Sequence, residues 1–157
     1  MRDQESSALE MWVRLLRGHA ALRRIVSAQL QGDHGLSVND YETLLLLSRA
    51  DDGQLRRVDL AEGLQLTPSG ITRLLDGLEE LGLVCKGVCP GDARVSYAVI
   101  TDAGRKRLRE ASASHTAAIR TICEERYSEV ELKQLSELLA RLPGADSGNT
   151  EECSPGD

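Results

Sequence analysis

The segment that begins at Thr67 combines small, hydroxyl-bearing and cationic side chains at the start of a predicted helix. Thr67 is a favourable N-cap, and Pro68 suits the first helical position because the N–H that proline lacks would have no partner there. Apolar residues recur at helical spacing and predict a buried face: Ile71, Leu74, Leu75, Leu78 and Leu81. The exposed face of the first turns carries Ser69, Gly70, Thr72 and Arg73. Such a surface can approach a phosphate backbone, offer N–H groups to phosphate and direct an arginine to a guanine edge.

A β-hairpin is predicted directly after this helix. Gly82 ends the helix, residues 84–88 form one strand, and a second strand runs to Ile100 after a turn at Pro90-Gly91-Asp92. Arg94 follows the tip of the hairpin, and the carboxylate of Asp92 is placed to orient its guanidinium through a charge-assisted hydrogen bond. The hairpin therefore predicts an arm that holds Arg94 where a minor groove would lie.

These segments resemble the winged helix-turn-helix of the MarR family of transcriptional regulators. The matching stretches are DLAEGL (59–64), LTPSGITRLLDGLE (66–79), GLV (82–84), DAR (92–94) and ITDAG (100–104). Their order and spacing follow the family from about residue 57 to residue 104, and elsewhere the likeness is one of helix layout and length. The resemblance implies a mainly α (α+β) fold, a winged helix-turn-helix with long N- and C-terminal dimerisation helices. It also implies a homodimer that presents two recognition helices to a pseudo-palindromic operator in double-stranded DNA.

Two positions depart from the family pattern. Gln65 stands in the turn of the helix-turn-helix, where the family usually has glycine, and Gly63 lies inside the preceding short helix instead. The turn is therefore expected to be rebuilt locally. Val95 follows Arg94 where a second basic residue is common, so we expect DNA affinity to depend on both protomers.

The chain of 157 residues predicts one domain over residues 1–145. Its dimerisation helices are expected in residues 1–34 and 102–142, and its winged-helix DNA-binding region in residues 37–101. The composition of residues 143–157, which is rich in Gly, Ser, Pro and acidic residues, predicts a disordered tail.

Local signals place the other elements. The first helix is expected to end near Gly32, and Ser37 to cap the second helix together with Asp40. A short strand is expected at residues 54–56 and a short helix at residues 58–64. The remaining cap signals are Thr101-Asp102 before the long fifth helix, and a capping box of Ser128 and Glu131 before the last helix.

The net charge of −6 is unusual for a DNA-binding protein, but it is unevenly distributed. Residues 1–123 carry sixteen acidic and sixteen basic residues, whereas residues 124–157 carry nine acidic and three basic residues. The cations expected to face DNA are Arg56, Arg57, Arg73, Lys86 and Arg94. Because this set is small, binding is expected to need two copies and to weaken steeply with salt.

The four cysteines are expected to be free thiols. Cys85 and Cys89 would be about 13 Å apart on an extended strand, which is too far for a disulfide. Cys123 is expected to be a packing residue, and Cys153 a thiol in the tail. The wing cysteines nevertheless keep open the alternative of a thiol-switched regulator of the same fold. No metal site and no cofactor are predicted.

The resemblance implies that a small aromatic or lipophilic effector binds between the dimer helices and the wing domain. The residues predicted to line that pocket are Trp12, His19, Tyr41 and His115. The sequence thus predicts a sequence-specific DNA-binding regulator, a homodimeric repressor that its effector releases, located in the cytoplasm and independent of a membrane. No catalytic constellation is recognised, so no enzyme is predicted. A further alternative is a winged-helix protein-interaction module without DNA binding, which the acidic balance allows.

Overall fold

The computed structural model describes the backbone of residues 2–89 and 92–145, and the side chains of residues 7–87 and 96–145. The chain divides into two compact units, Met1–Ala111 and Ser112–Asp157. The elements of the first unit are α1 (Arg2–His34), α2 (Val38–Arg49), a 3₁₀ turn (Asp51–Gly53), β1 (Gln54–Arg56), α3 (Arg57–Gly63), α4 (Pro68–Glu80), β2 (Val84–Cys89) and β3 (Asp92–Ile100). Helix α5 (Asp102–Glu124) begins in the first unit and ends in the second, which also contains α6 (Glu129–Leu139). The mainly helical winged helix-turn-helix fold predicted from the sequence is confirmed.

Side-chain caps begin four of the helices, as their sequences predict. The Ser37 hydroxyl accepts a hydrogen bond from the Asp40 N–H at 3.1 Å, and the Asp40 carboxylate accepts one from the Ser37 N–H at 2.8 Å. The same reciprocal box, formed by Ser128 and Glu131, begins α6. Helix α4 is capped by Thr67 and helix α5 by Thr101. These caps satisfy N–H groups that have no partner inside the helix.

Left-handed residues follow α1, α3 and α4. Helix α1 passes Gly32 and ends at His34, before Gly35 with φ of +65°. A single glycine is tolerated inside a helix, whereas the left-handed conformation favours glycine, so Gly35 is the better stop signal. Gly82 with φ of +70° follows α4 as predicted.

The turn between α3 and α4 has the same geometry as the end of α4 but lacks its glycine. Gln65 has φ of +53°, and its N–H donates to the carbonyl of Glu62 at 3.1 Å. The next N–H, that of Leu66, donates to the carbonyl of Ala61 at 2.8 Å. This is a Schellman motif with glutamine in the left-handed position. Gln65 thus holds the left-handed position that favours glycine and bears the strain of a side chain there.

The three strands form an antiparallel sheet in the order β1-β3-β2. Leu55 is paired with Ala98 and Val84 with Ile100, so the predicted strand and hairpin are present. A register shift between Val88 and Cys89 marks the outer end of the hairpin. The predicted turn residues Pro90 and Gly91 lie outside the described residues.

The core of the first unit contains residues from all of its main elements. Its buried apolar side chains include Leu30, Leu44, Leu47, Leu60, Ile71, Leu75, Leu78, Ile100 and Leu108. Leu81, which the helical spacing placed on the buried face of α4, is instead exposed because it caps the end of that helix. The predicted face is therefore buried over residues 71–78 only.

A junction joins the end of α4 to the start of α5. The hydroxyl of Thr101 donates to the carbonyl of Gly82 at 2.7 Å, and its N–H donates to the carbonyl of Leu83 at 3.1 Å. Gly104 passes so close that a Cβ there would overlap the carbonyl oxygen of Leu83. Only glycine allows α5 to approach the chain after α4 this closely.

Apolar side chains remain exposed on the terminal helices of this single chain. On α1 they are Leu9, Met11, Trp12, Val13, Leu16, Leu22 and Ile25. On α6 they are Val130, Leu135, Leu138 and Leu139. Within the described part of the chain, no helix is long and apolar enough to cross a membrane.

Candidate nucleic-acid interface

The first turn of α4 is the exposed surface on which the sequence-predicted residues meet. The Thr67 hydroxyl accepts a hydrogen bond from the Gly70 N–H at 3.1 Å and lies 3.2 Å from the Ser69 hydroxyl. Thr67 and Ser69 are exposed, whereas Ile71 on the opposite face is buried. Helix geometry leaves the Ser69 N–H without an intrahelical partner, so it is available to an external acceptor such as a phosphate.

Gly70 keeps this helix start compact. A Cβ at Gly70 would lie 3.1 Å from the Thr67 hydroxyl oxygen, a tighter approach than side chains normally make. Glycine therefore accommodates the N-cap, and it adds no side chain of its own to the first turn beside Thr67 and Ser69. Both effects suit a helix end that must approach another backbone.

Thr72 and Arg57 are joined across the helix-turn-helix. The Arg57 guanidinium Nη2 donates to the Thr72 hydroxyl oxygen at 2.7 Å. The Thr72 hydroxyl in turn donates to the carbonyl of Pro68 at 2.8 Å, one helical turn earlier. Arg57, at the start of α3, thus reaches the surface of α4, and both side chains are half-buried.

Arg56 and Lys86 have carboxylate partners. The Arg56 guanidinium donates to both oxygens of Asp59, each at 2.7 Å. This hydrogen bonding, followed by the charge of Asp59, raises the pKa of Arg56. The Lys86 ammonium lies 3.1 Å from the carboxylate of Glu79 and 4.0 Å from that of Asp76, both on α4. The later turns of α4 are therefore acidic, and Lys86 partly neutralises them.

Arg73 differs from these cations. Its side chain is exposed, and it forms no ion pair or hydrogen bond with any side chain that the structure describes. Among the predicted DNA-facing cations whose side chains the structure describes, Arg73 is thus the one with its charge available. The contacts predicted for Arg56, Arg57 and Lys86 stay predictions.

The arm of the hairpin is described by its backbone alone. Asp92 and Arg94 lie in β3, but their side chains, like that of Cys89, are outside the described residues. Their predicted pairing therefore remains a prediction. Cys85 is an exposed free thiol on β2, and Cys123 is a half-buried free thiol on α5. Cys153 lies outside the described residues.

The four predicted effector residues occupy different environments. Trp12 and His19 are exposed on α1, and Tyr41 is buried in the core of the first unit. His115 belongs to the second unit, where burial lowers the pKa of its imidazole.

A cavity of about 330 Å³ is lined by other residues of the first unit. They are Arg23, Glu42, Leu45, Leu46, Gly63, Leu64 and Gln65. At its edge, Arg23 donates to Asn39 at 2.8 Å and lies 4.0 Å from Glu42. Sequence reasoning missed this cavity because it joins α1, α2 and the turn after α3, which are far apart in the chain. It also missed the partner of Arg56, although the three-residue spacing of Arg56 and Asp59 is a recognisable helical ion-pair signal.

Comparison with known proteins agrees with this geometry. Residues 34–95 match the family model described as MarR family. The HTH-type transcriptional repressor YetL of Bacillus subtilis (strain 168) is 30% identical over 142 residues, which cover 88% of this chain and 84% of that protein.

Solved structures agree with the sequence comparison. Sco3205, a MarR family transcriptional regulator from Streptomyces coelicolor crystallised in complex with DNA, has a TM-score of 0.77 at 28% identity, covering 85% of this chain and 83% of that one. CouR from Rhodococcus jostii RHA1, crystallised with p-coumaroyl-CoA, has a TM-score of 0.66 at 29% identity, covering 80% and 86% of the two chains. The likeness to these relatives, together with the capped helix α4 and the three-stranded sheet, establishes that the chain belongs to the MarR family of transcriptional regulators.

Proposed function

We propose that the protein is a homodimeric repressor that binds a pseudo-palindromic operator through the start of α4. The observation that carries the proposal is the exposed surface formed by Thr67, Ser69 and Arg73, the last of which has no described partner for its charge. In the proposed complex Arg73 reads a base edge in the major groove, and the Ser69 N–H contacts a phosphate. Arg94, positioned by Asp92, enters the adjacent minor groove. The similar protein Sco3205, which was crystallised in complex with DNA, supports DNA binding by this chain.

The proposed dimer is supported by the exposed apolar residues of the terminal helices. Trp12 is 53% exposed, Leu9 66% and Val130 67% in the single chain, which is unusual for side chains of this kind. Pairing the same residues of two copies buries them in an isologous interface. We propose that residues 1–34 and 102–142 form this interface, and that residues 37–101 form the DNA-binding region.

Gel-shift titration against DNA flanking the protein's own gene, at several salt concentrations, tests the proposal. A salt-dependent shift is expected. Arg73→Ala is expected to weaken binding by about five- to a hundredfold, the effect of losing a specific base contact. Arg109→Ala, which removes the same charge from an exposed position on α5, is the charge-matched control; its dimerisation is measured in parallel because α5 belongs to the proposed interface, and with the dimer intact it is expected to bind almost normally. No salt-sensitive shift with the unmodified protein would favour the interaction module instead.

We further propose that a small aromatic or lipophilic effector releases the repressor from DNA. The effector would have a higher affinity for the dimer conformation that cannot bind the operator than for the DNA-bound conformation. It would therefore shift the population of dimers toward the unbound state. CouR with its bound p-coumaroyl-CoA supports a ligand-responsive mechanism. In this proposal the protein acts on DNA in the cytoplasm and catalyses no reaction.

The exposed thiol of Cys85 favours a second candidate, release by oxidation. The test compares oxidant-induced release of DNA by the unmodified protein and by the Cys85→Ser, Cys89→Ser double variant. Unchanged release would exclude the wing thiols.

A further inference from the structure

We propose that Thr72 contributes to operator recognition through its methyl group, and that Arg57 is a positioning residue that holds this methyl in place. The inference rests on the proposed function, because it concerns how α4 reads DNA. It keeps Thr72 at the DNA interface, as the sequence predicts, but it replaces the direct DNA contact expected of Arg57 with a positioning role.

The hydroxyl of Thr72 is already engaged on both sides. A hydroxyl has one hydrogen to donate, and Thr72 donates it to the carbonyl of Pro68 at 2.8 Å. The oxygen accepts the N–H of Arg57 at 2.7 Å, a charge-assisted bond. To donate to a base, Thr72 would have to abandon the Pro68 carbonyl. The methyl group is the part of the side chain without a polar partner, and it matches the methyl of thymine in the major groove.

The hydrogen bond from Arg57 to the Thr72 hydroxyl oxygen determines where the methyl group of Thr72 lies. Threonine in a helix divides between two rotamers because its oxygen can reach carbonyls either three or four residues earlier. Arg57 donates from α3, across the helix-turn-helix, and so favours the rotamer in which the oxygen also reaches Pro68. The arginine therefore acts on DNA recognition through Thr72.

Replacing thymine by uracil tests the methyl contact, because uracil differs only in lacking that methyl group. Each thymine of the footprinted operator is replaced in turn, and affinity is measured with the unmodified protein, Thr72→Val and Thr72→Ser. Valine retains the methyl and loses the hydroxyl, whereas serine does the reverse. One replacement per half-site is expected to weaken binding about fourfold, the effect of one methyl contact. The same loss is expected with Thr72→Val and none with Thr72→Ser.

Arg57→Ala tests the positioning role. The Arg57→Ala variant is expected to lose less affinity on uracil replacement than the unmodified protein does, because Thr72 is then free to change rotamer. The double variant Arg57→Ala, Thr72→Val is expected to lose as much affinity on uracil replacement as the unmodified protein does, since valine holds one strongly preferred rotamer in a helix. The dependence of binding on salt is expected to be unchanged in Arg57→Ala. A phosphate contact by Arg57 would instead reduce that slope by about one for each protomer and would overturn its positioning role.

The outcomes separate this inference from the proposed function. If the unmodified protein shows no salt-sensitive DNA binding, both are overturned. If it binds DNA but no uracil replacement causes a loss of affinity that requires a methyl group on residue 72, the inference alone is overturned. It is likewise overturned if Thr72→Ser keeps the sensitivity to uracil and Thr72→Val loses it, because the hydroxyl would then read the base.

Discussion

Replacing Gln65 by glycine is expected to stabilise the protein, although most substitutions destabilise. Gln65 occupies the left-handed position of the Schellman motif between α3 and α4, with φ of +53°. A residue with a Cβ pays roughly 1–2 kcal/mol for this conformation. Glycine removes that cost but gives the unfolded chain more conformational freedom, which offsets about 0.4–1 kcal/mol. Because Gln65 is exposed, removing its side chain sacrifices little packing.

The expected gain is therefore about 0.5–1 kcal/mol, which corresponds to a rise in Tm of about 1–4 °C for a chain of this length. Urea unfolding and thermal melting at a fixed protein concentration measure it. Keeping the concentration fixed matters because dimer formation makes Tm depend on concentration.

Gly82 offers a matched control in the same motif. It has φ of +70° after α4, and a Cβ there would meet no atom within 4 Å. Gly82→Ala therefore introduces backbone strain without a collision, and it is expected to lower stability by about the amount that Gln65→Gly raises it. A decrease in stability on Gln65→Gly, at the same time as a decrease on Gly82→Ala, would refute the interpretation that Gln65 is strained.

Three further predictions concern packing, protonation and charge. Gly104→Ala is expected to lower the free energy of unfolding by about 1–3 kcal/mol or more, because its Cβ would overlap the Leu83 carbonyl; unchanged urea unfolding would contradict the close approach. Burial lowers the pKa of His115, so the unfolded chain takes up a proton more readily, and stability present above the unfolded pKa of about 6.5 is lost as pH falls through the folded pKa. Between about pH 7 and pH 5, His115→Gln should lose less stability than the unmodified protein, and equal losses would exclude this role. A double-mutant cycle of Lys86→Gln and Glu79→Gln should give a coupling of about 0.2–1 kcal/mol, since Lys86 is largely exposed to solvent, and a coupling well above about 1 kcal/mol would contradict this screening.

The sequence predicts most of the fold because the decisive signals are local. Thr67 with Pro68, Gly82, and the capping box of Ser128 and Glu131 each specify a helix boundary within a few residues. The sequence places the end of α1 too early, near Gly32, because Gly32 and Gly35 are alike in sequence and only the left-handed backbone of Gly35 distinguishes them.

The candidate site is only partly predictable. The exposed start of α4 follows from helical spacing, and Arg73 is exposed there as expected. The bond between Arg57 and Thr72 joins residues fifteen positions apart, and no pattern within one helix specifies it. The left-handed conformation of Gln65 is equally hidden, because the fold imposes it on a residue that does not favour it.

The junction of Thr101 and Gly104 with the end of α4 has a mechanical consequence. Because the first turn of α5 is anchored directly to the residues that follow α4, the beginning of one helix and the end of the other must travel together. A displacement of the early turns of α5 is thus transmitted directly to the C-terminal end of α4, the recognition helix, and not by way of the wing. Reorienting that helix requires no flexible hinge at this point, since two backbone carbonyls and one absent side chain make the connection rigid.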